Sequence, residues 1–164
     1  MKLRTILMAL LAGLCTAEGL AKPFTVKSPN GKIVVTIPAD EPLCFSVAYA
    51  GQPLLQKSAI GLNGRTAKPR GGKVSAVSHD VDAPFYRQKR FTMQGQQIDL
   101  KLGDGYGIQF RAYDEGVAYR FYTTRKGETI ITNETALFGF AEESKAWLSY
   151  STNAEKPFAM AFQN

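Results

Sequence analysis

The run from Gly105 to Thr124, GYGIQFRAYDEGVAYRFYTT, constrains what this chain can fold into more than any other stretch. Ile108, Phe110 and Ala112 alternate with Gln109, Arg111 and Tyr113. After Asp114-Glu115-Gly116 the alternation resumes, with Val117, Tyr119 and Phe121 set against Ala118, Arg120 and Tyr122. A period of two puts each set on one face of a β-strand, so the run predicts a hairpin. Pairing Ala112 with Val117 brings Phe110 to Tyr119 and Ile108 to Phe121, and one face becomes wholly apolar. A slip of one residue would mix the faces, so the loop must hold an even number of residues. The four residues Tyr113 to Gly116 satisfy this, with Gly116 free to take positive φ. The second face carries Arg111, Arg120 and Tyr122. It reads as the arginine side of a central sandwich strand pair, lying under another layer. The sharper reading has Arg111 and Arg120 binding an anionic ligand. Strand arginines more commonly pair with carboxylates of their own protein.

The rest of the chain repeats this β vocabulary. Phe24–Lys27 and Ile33–Ile37 flank the turn signal Pro29-Asn30-Gly31. Leu43–Tyr49 is a β run closed by Ala50-Gly51-Gln52, with a short strand after Pro53 and another piece at Ile60–Leu62. Asn63–Lys73 is rich in Gly, Lys, Arg and Pro and is expected to be the most mobile loop. Val74–His79 reads as a strand and Asp80–Pro84 as a break. Arg87–Met93 and Gln97–Leu102 read as a pair turning at Gln94-Gly95-Gln96. Arg125-Lys126-Gly127 is a turn, and Thr129–Thr132, Phe138–Phe140, Ala146–Tyr150 and Phe158–Phe162 are the last candidate strands. Helix fits only a single turn at Ala141–Ala146. Short strands at turn-punctuated intervals predict an all-β, antiparallel β-sandwich. Apolar residues are still accumulating at Phe158, Met160 and Phe162, so the sandwich is expected to be incomplete at its C-terminal end.

With 164 residues there is room for one domain with a real core. The first 21 read as a signal peptide. Lys2 and Arg4 form the positive start, Ile6–Leu14 is an apolar run too short to span a bilayer, and Gly19-Leu20-Ala21 ends in a small residue. Cleavage is expected after Ala21, with Ala17 the alternative, and the product is secreted or periplasmic. Cys15 raises a lipoprotein reading, which Leu14 before it disfavours. The signal peptide is then the only contact with a membrane. Losing Lys2, Arg4 and Glu18 leaves 18 basic and 13 acidic residues, a mild net +5. The basic residues are scattered rather than gathered on one aromatic-laced face, which argues against a nucleic-acid partner. Cys44 is then the one remaining cysteine, expected as a buried strand thiol, with no internal disulfide and no CxxC metal motif.

No catalytic constellation assembles from spacing. His79 is the one histidine, and the Asp80 beside it does not make a triad. Asp80 with Asp82, Asp114 with Glu115, and Glu142 with Glu143 are turn or surface pairs. Glycoside hydrolysis needs two carboxyls roughly 5–10 Å apart across a sugar. Asp80-x-Asp82 lacks the glycine and the distant glutamate of a calcium loop. Gly103-x-Gly105-x-Gly107 has no following helix, so it fails as a phosphate loop. Trp147, the one tryptophan, and Tyr150 could together stack on the apolar face of a sugar and are the candidate substrate-binding residues; the competing reading is core or interface packing.

RAYDEGVAYRF, then Thr132-Asn133-Glu134-Thr135, together with Ser28-Pro29-Asn30-Gly31-Lys32 and Ser58-Ala59-Ile60-Gly61-Leu62, resemble the N-terminal domain of glycoside hydrolase family 97 in order and rough spacing, from about Thr25 onward. The resemblance implies a galactose-mutarotase-like supersandwich from a secreted α-glucosidase or α-galactosidase. In such enzymes the catalytic carboxylates sit on an eightfold β/α barrel, which takes roughly 250 residues and does not fit here. The implied role is a non-catalytic sandwich that packs on the barrel and helps form the site for an oligosaccharide. The alternative is a free-standing secreted carbohydrate-binding module. No catalytic residue and no metal ligand is expected in residues 22–164. Many full-length members use calcium, with one sandwich glutamate as ligand; that residue is expected just past Asn164, and Glu155 is not assigned the role.

Overall fold

The computed structural model describes residues 21–145 apart from 66, 86 and 143. Among the described residues there are nine strands and no helix: β1 Phe24–Lys27, β2 Ile33–Ile37, β3 Cys44–Tyr49, β4 Gln52–Leu62, β5 Val74–Asp82, β6 Arg90–Gly103, β7 Tyr106–Tyr113, β8 Val117–Thr123 and β9 Glu134–Phe140. They form two antiparallel sheets, ordered β1-β2-β3-β4-β9 and β5-β6-β7-β8. The sheets pack face to face as a sandwich. Val26, Ile33, Val35, Ile37, Phe45 and Val47 of the first meet Ile98, Leu100, Ile108, Phe110 and Ala112 of the second in one core.

The central hairpin has the register its alternation demands. Ala112 pairs with Val117, Phe110 with Tyr119 and Ile108 with Phe121. The loop closes through Tyr113 N–H donating to the Gly116 carbonyl at 2.8 Å. Gly116, however, does not adopt positive φ. The loop tip is held instead by Asp114, whose Oδ1 accepts from the Asn30 backbone N–H at 2.9 Å. That bond ties the β7–β8 loop to the β1–β2 turn, where Gly31 does take positive φ, at 73°. Cys44 is a free, buried thiol, and burial pushes its pKa up.

Several local readings change. Gln94-Gly95-Gln96 is not a turn: β6 runs straight through it, with β5 on one side and β7 on the other. Gly95 is there because the Tyr113 ring of the paired strand lies across it, 2.8 Å from where a Cβ would stand. The pieces after Pro53 and at Ile60 are one strand, β4, with an irregularity between Gln56 and Ala59, where Lys57 takes φ 32°, and register shifts against β3. The turn that sequence reading missed is Asp104-Gly105 between β6 and β7. Both residues have positive φ, 50° and 73°, as a two-residue hairpin loop of the primed kind requires. Thr129–Thr132 is not a strand. It is pinned by Asn63, whose Oδ1 accepts from Thr132 N, Thr132 Oγ1 and Asn133 N, while its Nδ2 donates to the Ile130 carbonyl. The Asn63–Lys73 stretch, expected to be the loosest, is tied down: Pro69 is fully buried, and Arg70 exchanges two backbone hydrogen bonds of 2.9 Å with Lys101. Ser144 N donates to the Ala141 carbonyl at 3.2 Å. Ala146–Tyr150, Phe158–Phe162 and residues 1–20 of the expected signal peptide lie outside the described residues.

Candidate functional site

Two surfaces gather the polar and aromatic side chains. The first is a cleft of about 300 Å³ at one end of the sandwich. It lies between the end of β4 (Gly61, Leu62), the β6–β7 turn (Gly103, Asp104, Tyr106) and Phe121 of β8. The primed turn carries Asp104 out to the rim, where its carboxylate meets Arg65 Nη1 at 3.3 Å. Arg65 and Arg125 both place their guanidinium groups near the Tyr106 ring, 4.7 and 5.6 Å from its centroid. An adjoining groove adds Asn63, Lys126 and Glu128. The lining of the cleft carries one carboxylate, already held by an arginine, where glycoside hydrolysis uses two. The cleft offers cationic and aromatic contacts.

The second surface is the outer face of the β5-β6-β7-β8 sheet. The arginine face of the hairpin is here, and no layer among the described residues covers it. Among the described residues Arg111 pairs with no carboxylate. Its Nε donates to Gln97 Oε1 at 2.6 Å and its Nη1 reaches Tyr113 Oη at 3.4 Å. Gln97 Nε2 donates to Asp99 Oδ2 at 2.8 Å, and Gln109 Nε2 donates to Asp99 Oδ1 at 2.7 Å. Arg120 stands directly across from Gln109 on the neighbouring strand. Two tyrosine rings lie across cross-strand glycines on this face, Tyr113 over Gly95 and Tyr122 over Gly107.

The other sequence candidates are placed as follows. His79 is on β5, edge-on to the Tyr113 ring at 6.1 Å. Asp80 accepts from Thr92 Oγ1 at 2.7 Å, and Asp82 is 3.7 Å from Arg90 Nη2. Neither aspartate is joined to the histidine in a catalytic relay. Gly103 and Gly105 serve the β6–β7 turn, and Gly107 makes room for Tyr122. Trp147 and Tyr150, the candidate sugar platform, lie outside the described residues, as does Glu155. Among the described residues no three of His, Cys, Asp and Glu converge. Sequence reading missed Arg65, Asp104, Tyr106 and Arg125, which come together only when the sandwich closes. It also missed Gln97, Asp99 and Gln109, although their alternation with Ile98, Leu100 and Ile108 marks them as one outward-facing set.

Comparison with known proteins follows the same lines. A family model described as Glycosyl-hydrolase 97 N-terminal matches residues 26–163. A retaining alpha-galactosidase of Bacteroides thetaiotaomicron is 28% identical over 156 residues, which is 90% of this chain and 24% of that protein. The chain thus spans about a quarter of the length of this curated relative. A glycoside hydrolase family 97 enzyme from Pseudoalteromonas sp. strain K8, solved in complex with panose and with acarbose, superposes with a TM-score of 0.62 at 19% identity, over 73% of this chain and 20% of that one. A beta-arabinopyranosidase superposes with a TM-score of 0.63 at 24% identity, over 80% of this chain and 23% of that one. At these identities the superpositions establish the fold.

Proposed function

Since the chain belongs to the N-terminal domain family of glycoside hydrolase family 97, we propose that it is the non-catalytic β-sandwich of a secreted α-glycosidase. It packs on a catalytic barrel and helps wall an oligosaccharide site. The observation that carries this reading is the overhang of the first sheet. Phe138 and Phe140 lie on the same face of β9 as the core, and Phe138 reaches Phe45 edge-on at 6.4 Å between ring centroids. Yet they are 46% and 60% exposed, on the edge strand of a five-stranded sheet that faces one of four. Leu137, on the other face of β9, is exposed as well. An apolar shelf of this kind fits a surface that another part of an enzyme covers. The coverage of the relatives, 20–24% of their length, leaves ample chain to provide the cover. Oligosaccharide binding by the assembled enzyme is in keeping with the panose and acarbose complexes of the Pseudoalteromonas relative.

The test is hydrolysis. Purified chain is expected to leave 4-nitrophenyl α-galactoside and α-glucoside intact, because the acid/base carboxyl pair belongs to the barrel. Turnover that persists through purification and disappears on mutating a carboxylate within the chain, Asp104→Asn first, would overturn the proposal.

A further inference from the structure

We propose that the outer face of the β5-β6-β7-β8 sheet holds a binding site of its own, centred on Gln109, for the hydroxyl edge of a neutral sugar. The recess is small, about 120 Å³, and is lined by Gln109, Arg111, Tyr113, Ala118 and Arg120 with the adjoining Tyr119. It takes the rim of a sugar ring and not a whole oligosaccharide.

Gln109 is more than nine-tenths buried, and no donor among the described residues reaches its Oε1. A buried acceptor without a partner is costly, and native structures seldom keep one without a reason. Its orientation is not free. The Asp99 carboxylate can only accept, so it holds the amide nitrogens of both Gln97 and Gln109 toward itself and turns both amide oxygens away. The Gln97 oxygen is taken by Arg111 Nε. The Gln109 oxygen is left for a ligand.

The recess thus presents one fixed acceptor beside two guanidinium donors. Arg120 is directly opposite Gln109, and Arg111 is two residues along on the same face. That mixture selects the ligand. A carboxylate or phosphate would satisfy the arginines but leave Gln109 Oε1 facing another acceptor. A hydroxyl donates and accepts at once, so adjacent sugar hydroxyls can satisfy the amide oxygen and a guanidinium together. The Tyr122 ring, laid over Gly107 beside Arg120, gives the apolar C–H face of a sugar something to rest on. The inference goes beyond packing on a barrel, giving the sandwich a ligand that this chain can bind by itself.

The experiment uses the chain as it is, with maltotriose and methyl α-galactoside as neutral probes and acetate and glucuronate as acidic ones. Calorimetric titration gives affinity. Phenylglyoxal modification read by mass spectrometry gives the protection of Arg111 and Arg120 one by one, whatever the association state of the sample. A neutral sugar is expected to protect both arginines, and Arg120→Ser, at an exposed position, to weaken binding at least tenfold. Gln109→Met keeps the side-chain volume and removes the acceptor; it is expected to abolish sugar binding with the near-ultraviolet circular dichroism unchanged. Protection by acetate but not by the neutral sugars would overturn the proposal in favour of an anion site. Failure of every sugar to protect either arginine, or undiminished sugar binding by Arg120→Ser, would also overturn it. None of these outcomes bears on hydrolysis, so this proposal and the enzymatic one can fail separately.

Discussion

Phe110 shows how one residue commits the whole sandwich. It is fully buried, with the Phe45 ring 5.3 Å away across the sheets and the Tyr119 ring 6.0 Å away on the paired strand. Phe110→Ala would leave a cavity at the centre of the core. The expected loss is about 3–5 kcal/mol, read as a lower midpoint in urea at unchanged slope; a loss below about 1 kcal/mol would show the core closing over the gap. Tyr119 makes a different contribution. Its hydroxyl donates to Glu134 Oε1 at 2.9 Å, linking β8 to β9 across the sandwich. Burial, and then the bond to Glu134 and that residue's charge, push the phenol pKa up to about 12 from an ordinary 10. The folded protein therefore keeps this proton where the unfolded chain has lost it. The stabilisation is complete below pH 10 and is lost as pH rises from about 10 through about 12. Lysines titrate there too, so the measurement is a difference. The melting temperature of the native chain should fall more steeply over that range than that of Tyr119→Phe, and parallel curves would contradict the assignment.

At the scale of elements, the β7–β8 hairpin was legible because everything that sets its register is local. Two alternating runs and one loop length leave one pairing that buries the apolar set. The β6 strand was not legible. Gln94-Gly95-Gln96 has the composition of a turn, and only the Tyr113 ring on the next strand explains a glycine in mid-strand. Gly139 in β9 is a similar case. A Cβ there would collide with the Gln56 backbone carbonyl at the β4 irregularity. Gly139→Ala should cost about 1–3 kcal/mol and speed hydrogen exchange through Glu134–Phe140, while the β6 and β7 amides stay protected. Equal protection of β9 in both proteins would mean that the irregularity absorbs the methyl group. The β6–β7 turn, Asp104-Gly105, was readable from its dipeptide alone and sets the position of the cleft rim.

For the whole molecule, the consequence of an edge strand that the opposite sheet leaves partly uncovered is an apolar shelf at Phe138 and Phe140, with Leu137 exposed on the other face of the same strand. Exposed strand edges with apolar residues invite pairing between copies. The isolated chain is expected to associate reversibly in sedimentation velocity. Leu137→Lys with Phe140→Lys should shift it toward monomer while leaving the core signals of β7 intact. A native sample that sediments as a monomer and melts cooperatively would show the shelf to be harmless.

The sequence by itself determined the fold class, the central hairpin and its register, the buried thiol of Cys44 and the family, because alternation, turn composition and ordered motifs are properties of short segments. The closed sandwich decided the rest. It brought Arg65, Tyr106 and Arg125 together from three separate segments, buried Pro69 inside what reads as a loose loop, and kept β6 straight through a turn-like tripeptide. It also decided the fate of the arginine face. Spacing put Arg111 and Arg120 on one side of a hairpin, but which atoms they meet depends on β6 running on past Gln97 as a strand held between β5 and β7, where its composition reads as a turn. The physical reason is range: periodicity encodes which way a side chain points, and only packing of distant segments decides what it points at.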